Sequence, residues 1–283
     1  MQITFWGVRG SIPSPGPATV RYGGNTSCVS VRLSDGEIIV IDCGTGARNL
    51  GISLLAAAFG RGEGRATVLL SHAHWDHIQG FPFFGPFYVP GNQFTVVGGS
   101  HGSEMLERTL ERQMAAQFFP VQSYRNMGAQ IEMHAMSEDR ESRVGCARIT
   151  AHPNPHGPTE VLAYRIEADD RVLVYASDVG YDKGGPSAEA IAFYRGADLL
   201  VHDCTFTPED RTQRLSRGLS SLDDAVEAAL RSQVRRLALF HYDQDYSDND
   251  VDQLVARGRR QLDERGGKSI EILGSAEGLT LAL

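Results

Sequence analysis

The stretch SHAHWDHIQG, residues 71–80, puts His72, His74, Asp76 and His77 within six positions. It follows RATVLL, residues 65–70, an apolar and partly β-branched run that reads as a buried strand. In an extended segment side chains two apart share a face, so His72 and His74 point together while Ala73 points away. Asp76 and His77 fall at the start of a predicted helix, from which they can aim at the same point or at a second one close by. Neutral imidazoles and carboxylates bind first-row divalent metals. A surface or capping cluster explains four such side chains at one strand end less well.

Outward from this stretch, strand and helix patterns alternate. Residues 2–7, 27–33 and 37–42 read as strands, with Asp35-Gly36 as a hairpin turn. CGTG, residues 43–46, turns the chain into an amphipathic helix predicted over 47–60. FPFFGPFYVPGN, residues 81–92, reads as an aromatic, Pro/Gly-rich loop. A strand at 93–99 and a helix at 103–116, capped by Ser103, follow. In the second half strands are predicted at 148–152, 161–167, 171–178, within 197–206, and at 235–243, 269–274 and 278–283. Helices are predicted at 186–196, at 221–233 with Ser221 as cap, and at 248–266. No linker or short-period repeat interrupts this. Residues 1–283 therefore read as one domain of two β/α halves, roughly 1–140 and 141–283, with two packed sheets and outer helices.

Lys+Arg 27 against Asp+Glu 35 gives a formal charge of −8. That argues against a nonspecific nucleic-acid coat, so a small molecule is the expected partner and nucleic acid is not. No apolar run reaches the roughly 20 residues that span a bilayer, so no membrane insertion is expected. The first residues, MQITFWGVRGSIPSPG, lack the basic start, apolar stretch and cleavage site of a secretory leader. Cys28, Cys43, Cys146 and Cys204 are scattered without a CxxC pair and read as buried thiols of a reducing cytoplasm. A homodimer is compatible with this composition.

The HxHxDH pattern resembles the metallo-β-lactamase fold superfamily of hydrolases, and further motifs similar to that family's follow in order. VIDCGTG carries Asp42, ASDVGY carries Asp178 and LALFHYD carries His241. The remaining ligand should be a histidine shortly before a strand; AHPNPHGPTEVLAYRIE offers His152 and His156, and the spacing favours His156. The resemblance implies an α/β (α+β), four-layer αββα sandwich with a dinuclear site at one edge of the two sheets. His72, His74 and His156 would hold one divalent ion, and Asp76, His77 and His241 the other. Asp178 would bridge, and Asp42 would orient a ligand or the bridging water, which makes Asp76 and Asp42 the catalytic carboxylates. Zinc is the default for N and O ligands, with manganese or iron as alternatives. Diiron oxygen reductases on this fold carry Glu where this chain has His74, so the resemblance implies hydrolysis by a metal-bridging hydroxide.

TFWGVRGSIPSPG and YGGNTSC resemble the N-terminal strands of the ribonuclease Z and cyclic phosphodiesterase-like branch. ADLLVHDCTF resembles that branch's HEAT segment, with Asp203 in place of Glu. In the following turn, GLSSLDDA, Leu219 stands where a leaving-group histidine would be. His202, Asp203 and Tyr242 are candidates to replace that acid. The favoured function is hydrolysis of a small or cyclic nucleotide-like phosphodiester. Alternatives are hydrolysis of a carboxylic ester, lactone, thioester or lactam, and a metal-bearing sensor with little turnover. Phe84, Phe118, Phe119 and Tyr124 sit in loop settings that allow them to wall a pocket. Arg9, Ser11 and Asn25 lie in Gly-rich turns, where substrate contact is the alternative to turn chemistry. His202 reads as core or as a site neighbour, and His101 and His134 as surface. Gly44 and Gly46 lack the lysine of a phosphate loop.

Overall fold

The structure is a computed structural model that describes residues 1–99, 103–136, 141–181, 184–213 and 218–283. The strands are β1 (Gln2–Gly7), β2 (Cys28–Arg32), β3 (Ile38–Ile41), β4 (Arg65–Leu70), β5 (Gln93–Gly98), β6 (Gln130–His134) and β7 (Glu141–Val144). They continue as β8 (Ala147–His156), β9 (Thr159–Ala168), β10 (Arg171–Ala176), β11 (Leu199–Asp203), β12 (Arg236–Phe240), β13 (Glu271–Gly274) and β14 (Thr280–Ala282). The helices are α1 (Ala47–Leu55), α2 (Trp75–Ile78), α3 (Ser103–Gln113), α4 (Ala188–Tyr194), α5 (Pro208–Gln213), α6 (Leu222–Ser232) and α7 (Asp248–Glu264).

One sheet runs β14-β1-β2-β3-β4-β5-β6 and the other β13-β12-β11-β10-β9-β8-β7. Counted from β14 and from β7, each begins with antiparallel pairings and ends with parallel ones. The parallel strands β3, β4, β10, β11 and β12 deliver their carboxyl ends to one edge, the usual place for a site in such sheets. Strand alternation builds the layers. Ile39 and Ile41 of β3 enter the cluster between the sheets, whereas Ile38 and Val40 face α1 and α3 on the outside. On the second sheet α4, α6 and α7 contribute Tyr194, Val226 and Leu254 to the same cluster as the inter-sheet residues. The result is the expected αββα arrangement. Both α6 and α7 open on a Ser-x-x-Asp capping box: the Ser221 N–H donates to Asp224 Oδ2 at 2.8 Å, and the Ser247 N–H to Asp250 Oδ2 at 2.8 Å.

Several expectations are corrected. The second half lends a strand to the first sheet: β14 pairs antiparallel with β1 and completes it. The helix predicted to residue 60 stops at Leu55, because the chain turns to bury Phe59 against Phe94, ring centroids 5.7 Å apart. Ser103 is the first residue of α3 rather than its cap. The β6, β7 and α5 segments carry no element in the sequence reading. The strand ended at His152 runs on to His156, past Pro153 and Pro155. Pro153 and Pro155 stay in register with Leu162 and Glu160 of β9, and the Pro155 carbonyl accepts from the Gly180 N–H at 2.8 Å. Cys146 is exposed, unlike the other three free thiols. His134 is exposed, with its Nε2 3.6 Å from Glu132. His101 lies outside the described residues. No described helix is long and apolar enough to cross a membrane.

Arg9 ties the two sheets together next to the converging strand ends. It is fully buried, and its guanidinium donates to the carbonyls of Gly23, Asp243 and Tyr246 at 2.8, 3.3 and 2.7 Å. It therefore cannot reach a substrate phosphate. The adjoining backbone is stitched by Gly10 N–H to Tyr242 O and by Tyr242 N–H to Val8 O. Removing Arg9 strands the buried Asp243 carbonyl and the part-buried carbonyls of Gly23 and Tyr246. Arg9→Ala should cost about 3 kcal/mol or more in stability. Chemical denaturation checks this; an unchanged midpoint with a raised KM would instead restore Arg9 as a substrate contact.

Candidate metal centre

Two sets of side chains converge at the carboxyl ends of the parallel strands: His72, His74 and His156, and Asp76, His77, Asp178 and His241. Within each set, one ligand-type atom per residue lies within 4.8 Å of all the others. β4 delivers His72, and the extended residues after it bring His74 to the N-cap position of α2, which holds Asp76 and His77. The β8–β9 hairpin delivers His156 at its tip, where it pairs with Thr159. β10 and β12 deliver Asp178 and His241. Asp178 touches both sets: Oδ2 is 3.0 Å from His77 Nε2, and Oδ1 is 3.2 Å from His241 Nε2 and 3.9 Å from His156 Nε2. His152 lies elsewhere, stacked on Phe193.

The outer ring nitrogens are held by partners that aim the others inward. His77 Nδ1 donates to Asp42 Oδ2 at 2.7 Å, and His156 Nδ1 to the Gly218 carbonyl at 2.7 Å. His241 Nδ1 meets Thr205 Oγ1 at 2.9 Å, and Thr205 is anchored by Asp203 at 2.6 Å. His72 Nδ1 meets Ser71 Oγ at 3.1 Å. Such contacts fix the tautomer that leaves a lone pair on the inner nitrogen. The inner Nε2 atoms of His72 and His77 are buried with no hydrogen-bond partner among the described residues; the approach of His77 to Asp178 does not have hydrogen-bond geometry. Orphaned lone pairs facing carboxylate oxygens fit a cation. The cluster is suited to metal binding.

The electrostatics divide it. Burial first, then the neighbouring His77 and other imidazoles, hold His72 well below the usual histidine pKa. Burial and His156 lower His74 as well. In the second set burial also opposes charge, but Asp178, Asp42 and Asp76 together raise His77 well above its ordinary value. His241 is raised to about 9, burial being outweighed by Asp178 and Asp76. Asp76 and Asp178 stay ionised against burial because these histidines face them.

Close approach shapes the rim. A Cβ on Gly10 would sit 2.4 Å from the His241 ring, so only glycine leaves that imidazole in place. The Ser11 N–H donates to Asp76 Oδ2 at 2.7 Å. A cavity of about 510 Å³ opens on the cluster, with Ser11, Ile12, Leu219 and Gln244 completing its wall. Gln244, Thr205, Ser71 and Tyr175 escaped the sequence reading; only Ser71, directly before the histidine motif, carried a signal there.

The other expected contacts fall elsewhere. Phe84 and Tyr124 are buried in the outer core of the first sheet. Asn25 is bound to Glu277, its Nδ2 2.8 Å from Oε2. His202 is fully buried between the Tyr181 hydroxyl and the Asp203 carbonyl, where burial lowers its pKa to about 4. Asp203 sits behind Thr205, raised to about 7 by burial. The Tyr242 hydroxyl donates to the Leu239 carbonyl. None of these three lines the cavity beside Leu219. Phe118 and Phe119 do wall a cavity, together with Asn25, but a different one.

Residues 37–242 match the family described as the beta-lactamase superfamily domain. The ribonuclease Z of Natronomonas pharaonis is 26% identical, covering 87% of this chain and 88% of its own length. Among solved structures, the metallo-β-lactamase fold protein YhfI of Bacillus subtilis aligns over 99% of both chains with a TM-score of 0.72 and 20% identity. Zinc-bound PqqB of Methylobacterium extorquens covers all of both chains with a TM-score of 0.70 and 15% identity. With its αββα layers and a family match across most of its length, this chain belongs to the β-lactamase superfamily; it is a metal-dependent hydrolase similar to ribonuclease Z.

Proposed function

We propose that this hydrolase carries two divalent ions, zinc first among them, and cleaves a small or cyclic nucleotide-like phosphodiester. The observation that carries the metal reading is the pair of ligand sets meeting at Asp178. His72, His74 and His156 would hold one ion; Asp76, His77 and His241 the other; Asp178 would touch both. Phosphorus rather than carbonyl chemistry is favoured by the similarity to a protein named for cutting RNA. When bound, such ions lower the pKa of water and stabilise charge developing on phosphoryl oxygens. The chain's own share is orientation. Asp42 holds His77, the Gly218 carbonyl holds His156 and Thr205 holds His241, so the ligand shell is built before a substrate arrives.

Among the described residues of the cavity wall, none outside the two predicted ligand sets can donate a proton as an acid to the leaving group. Leu219 lines the cavity where the family resemblance would put that acid, and the candidate replacements are buried in hydrogen bonds of their own. Substrates whose leaving group departs without a proton fit this wall best.

The metal assignment predicts two ions per chain by elemental analysis, with occupancy of both falling in Asp178→Ala. Two tightly held ions in that variant would remove Asp178 as the bridge. His156→Ala should abolish turnover and loosen one ion, while His152→Ala, stacked on Phe193, should lose no more than about tenfold. The reverse ranking would exchange the two histidines.

A positioned general acid is worth roughly 10²–10⁴-fold. Nitrophenyl phosphodiesters should therefore be cleaved faster than alkyl or ribose diesters by a factor of that order. Leu219→His should narrow the gap by speeding the poor leaving groups alone. Steady-state kcat/KM on paired substrates, with carboxylic esters and precursor RNA in the same panel, measures this. Equal rates on activated and unactivated diesters would rule the leaving-group argument out, and turnover confined to esters would rule out the phosphodiesterase reading.

A further inference from the structure

A second cavity, of about 600 Å³, lies beside the metal centre and takes no part in the chemistry above. That size suits a small organic ligand. Trp75, Phe83 and Phe118 line it and are 72%, 59% and 71% exposed. Phe119 packs edge-on to Phe83, ring centroids 5.2 Å apart. Three large aromatic side chains left in water around one hollow mark a binding surface.

The polar part of the wall carries the opposite sign to the chain. Arg48 and Arg112 both line the cavity, yet among the described residues none that lines it is acidic, in a protein with 35 Asp+Glu and 27 Lys+Arg. Among the described residues neither arginine has an ion pair; Arg48 reaches only the Asn49 amide oxygen at 3.3 Å. Arg125, by contrast, is paired with Glu107 and Glu111 at 2.6 and 2.8 Å. Gln113 also lines the cavity, and its Nε2 is buried without a hydrogen-bond partner. The wall thus offers aromatic faces, free guanidinium groups and an unused amide donor. Its complement has a flat π-face, hydrogen-bond acceptors and negative charge.

We propose that this cavity is a binding site for a nucleoside monophosphate, the base stacked on the aromatic side chains and the phosphate on Arg48 and Arg112. It is distinct from the metal cluster but shares a wall with it. Ala73 and Trp75 line this cavity, while His74 and Asp76, between and beside them, line the other. An occupant would therefore press on the segment that carries the predicted metal ligands.

Trp75 is its own reporter. The chain has two tryptophans, and the other, Trp6, is part-buried with its Nε1 donating to Ser30 Oγ at 2.8 Å. Titrating AMP into the protein as purified should change Trp75 emission saturably. Arg48→Ala and Arg112→Ala should each raise Kd about tenfold or more, as should replacing AMP with adenosine. Both arginines are surface residues, so these variants should fold; circular dichroism checks that they do. Binding should persist after a chelator removes the metals, and this separates it from the phosphodiesterase reading, which is tested by turnover alone. An absent response, equal Kd in the arginine variants, equal affinity for adenosine, or loss of binding with the metals would overturn the proposal. So would a sedimentation result in which a second copy of the chain, rather than AMP, covers Trp75.

Discussion

The structure turns on one buried carboxylate. Asp42 is fully buried and accepts four hydrogen bonds: from the Ser71 N–H and hydroxyl, from His77 Nδ1 and from the Tyr175 hydroxyl, at 2.8, 2.9, 2.7 and 2.7 Å. A carboxylate at that depth is tolerable only when its lone pairs are satisfied. Here the donors come from different places. Ser71 directly follows β4 in the first sheet, Tyr175 belongs to β10 in the second, and His77 is in α2, within the histidine motif. One side chain thus links the sheets, fixes the start of the motif and chooses the tautomer of His77. Losing it would strand all of these donors at once, so its contribution to packing and its contribution to the site cannot be separated by deletion.

The division of charge follows from which residues the strand ends bring. The first set has three imidazoles and no carboxylate of its own, and burial holds His72 and His74 below the ordinary histidine value. The second set has two carboxylates and two imidazoles, and without a cation it favours protonated histidine. A metal ion in the second set would replace those protons, whereas in the first it would meet lone pairs already exposed. The two positions are thus chemically unequal even though Asp178 touches both.

Much of this was legible because the informative residues are local. The spacing of His72, His74, Asp76 and His77 encodes a strand end and a helix start in one line of sequence, and alternation along β3 encodes its two buried faces. What was not legible depends on partners elsewhere in the chain. Pro153 and Pro155 argue against a strand until β9 is seen to pair with them at Leu162 and Glu160. Arg9 in a Gly-rich turn resembles a phosphate contact until the carbonyls of Asp243 and Tyr246 close around it. Phe84 and Tyr124 look like pocket walls in a loop-like sequence but pack beneath it, while Phe118 beside them stays in water. Loop composition tells which residues are near a surface, not which of them turn inward.

The backbone breaks its local rules where the strands of both sheets meet. Asp42, Asp178 and His241 have φ of 60°, 55° and 61°, and each follows the end of a parallel strand. That region is unfavourable for residues with a Cβ, on the order of 1–3 kcal/mol each, and persists only where surrounding structure dictates it. The surrounding structure does so here. Asp42 is gripped by Ser71 and Tyr175, and the residue after His241 is stitched to Val8 and Gly10. Gly10 must then lack a side chain, since the turned imidazole takes its space. A left-handed residue at a strand's carboxyl end turns its side chain away from the course the strand would have continued. Strain, a bare glycine and a buried carboxylate are thus three consequences of one requirement, that side chains from both sheets point into the same few ångströms.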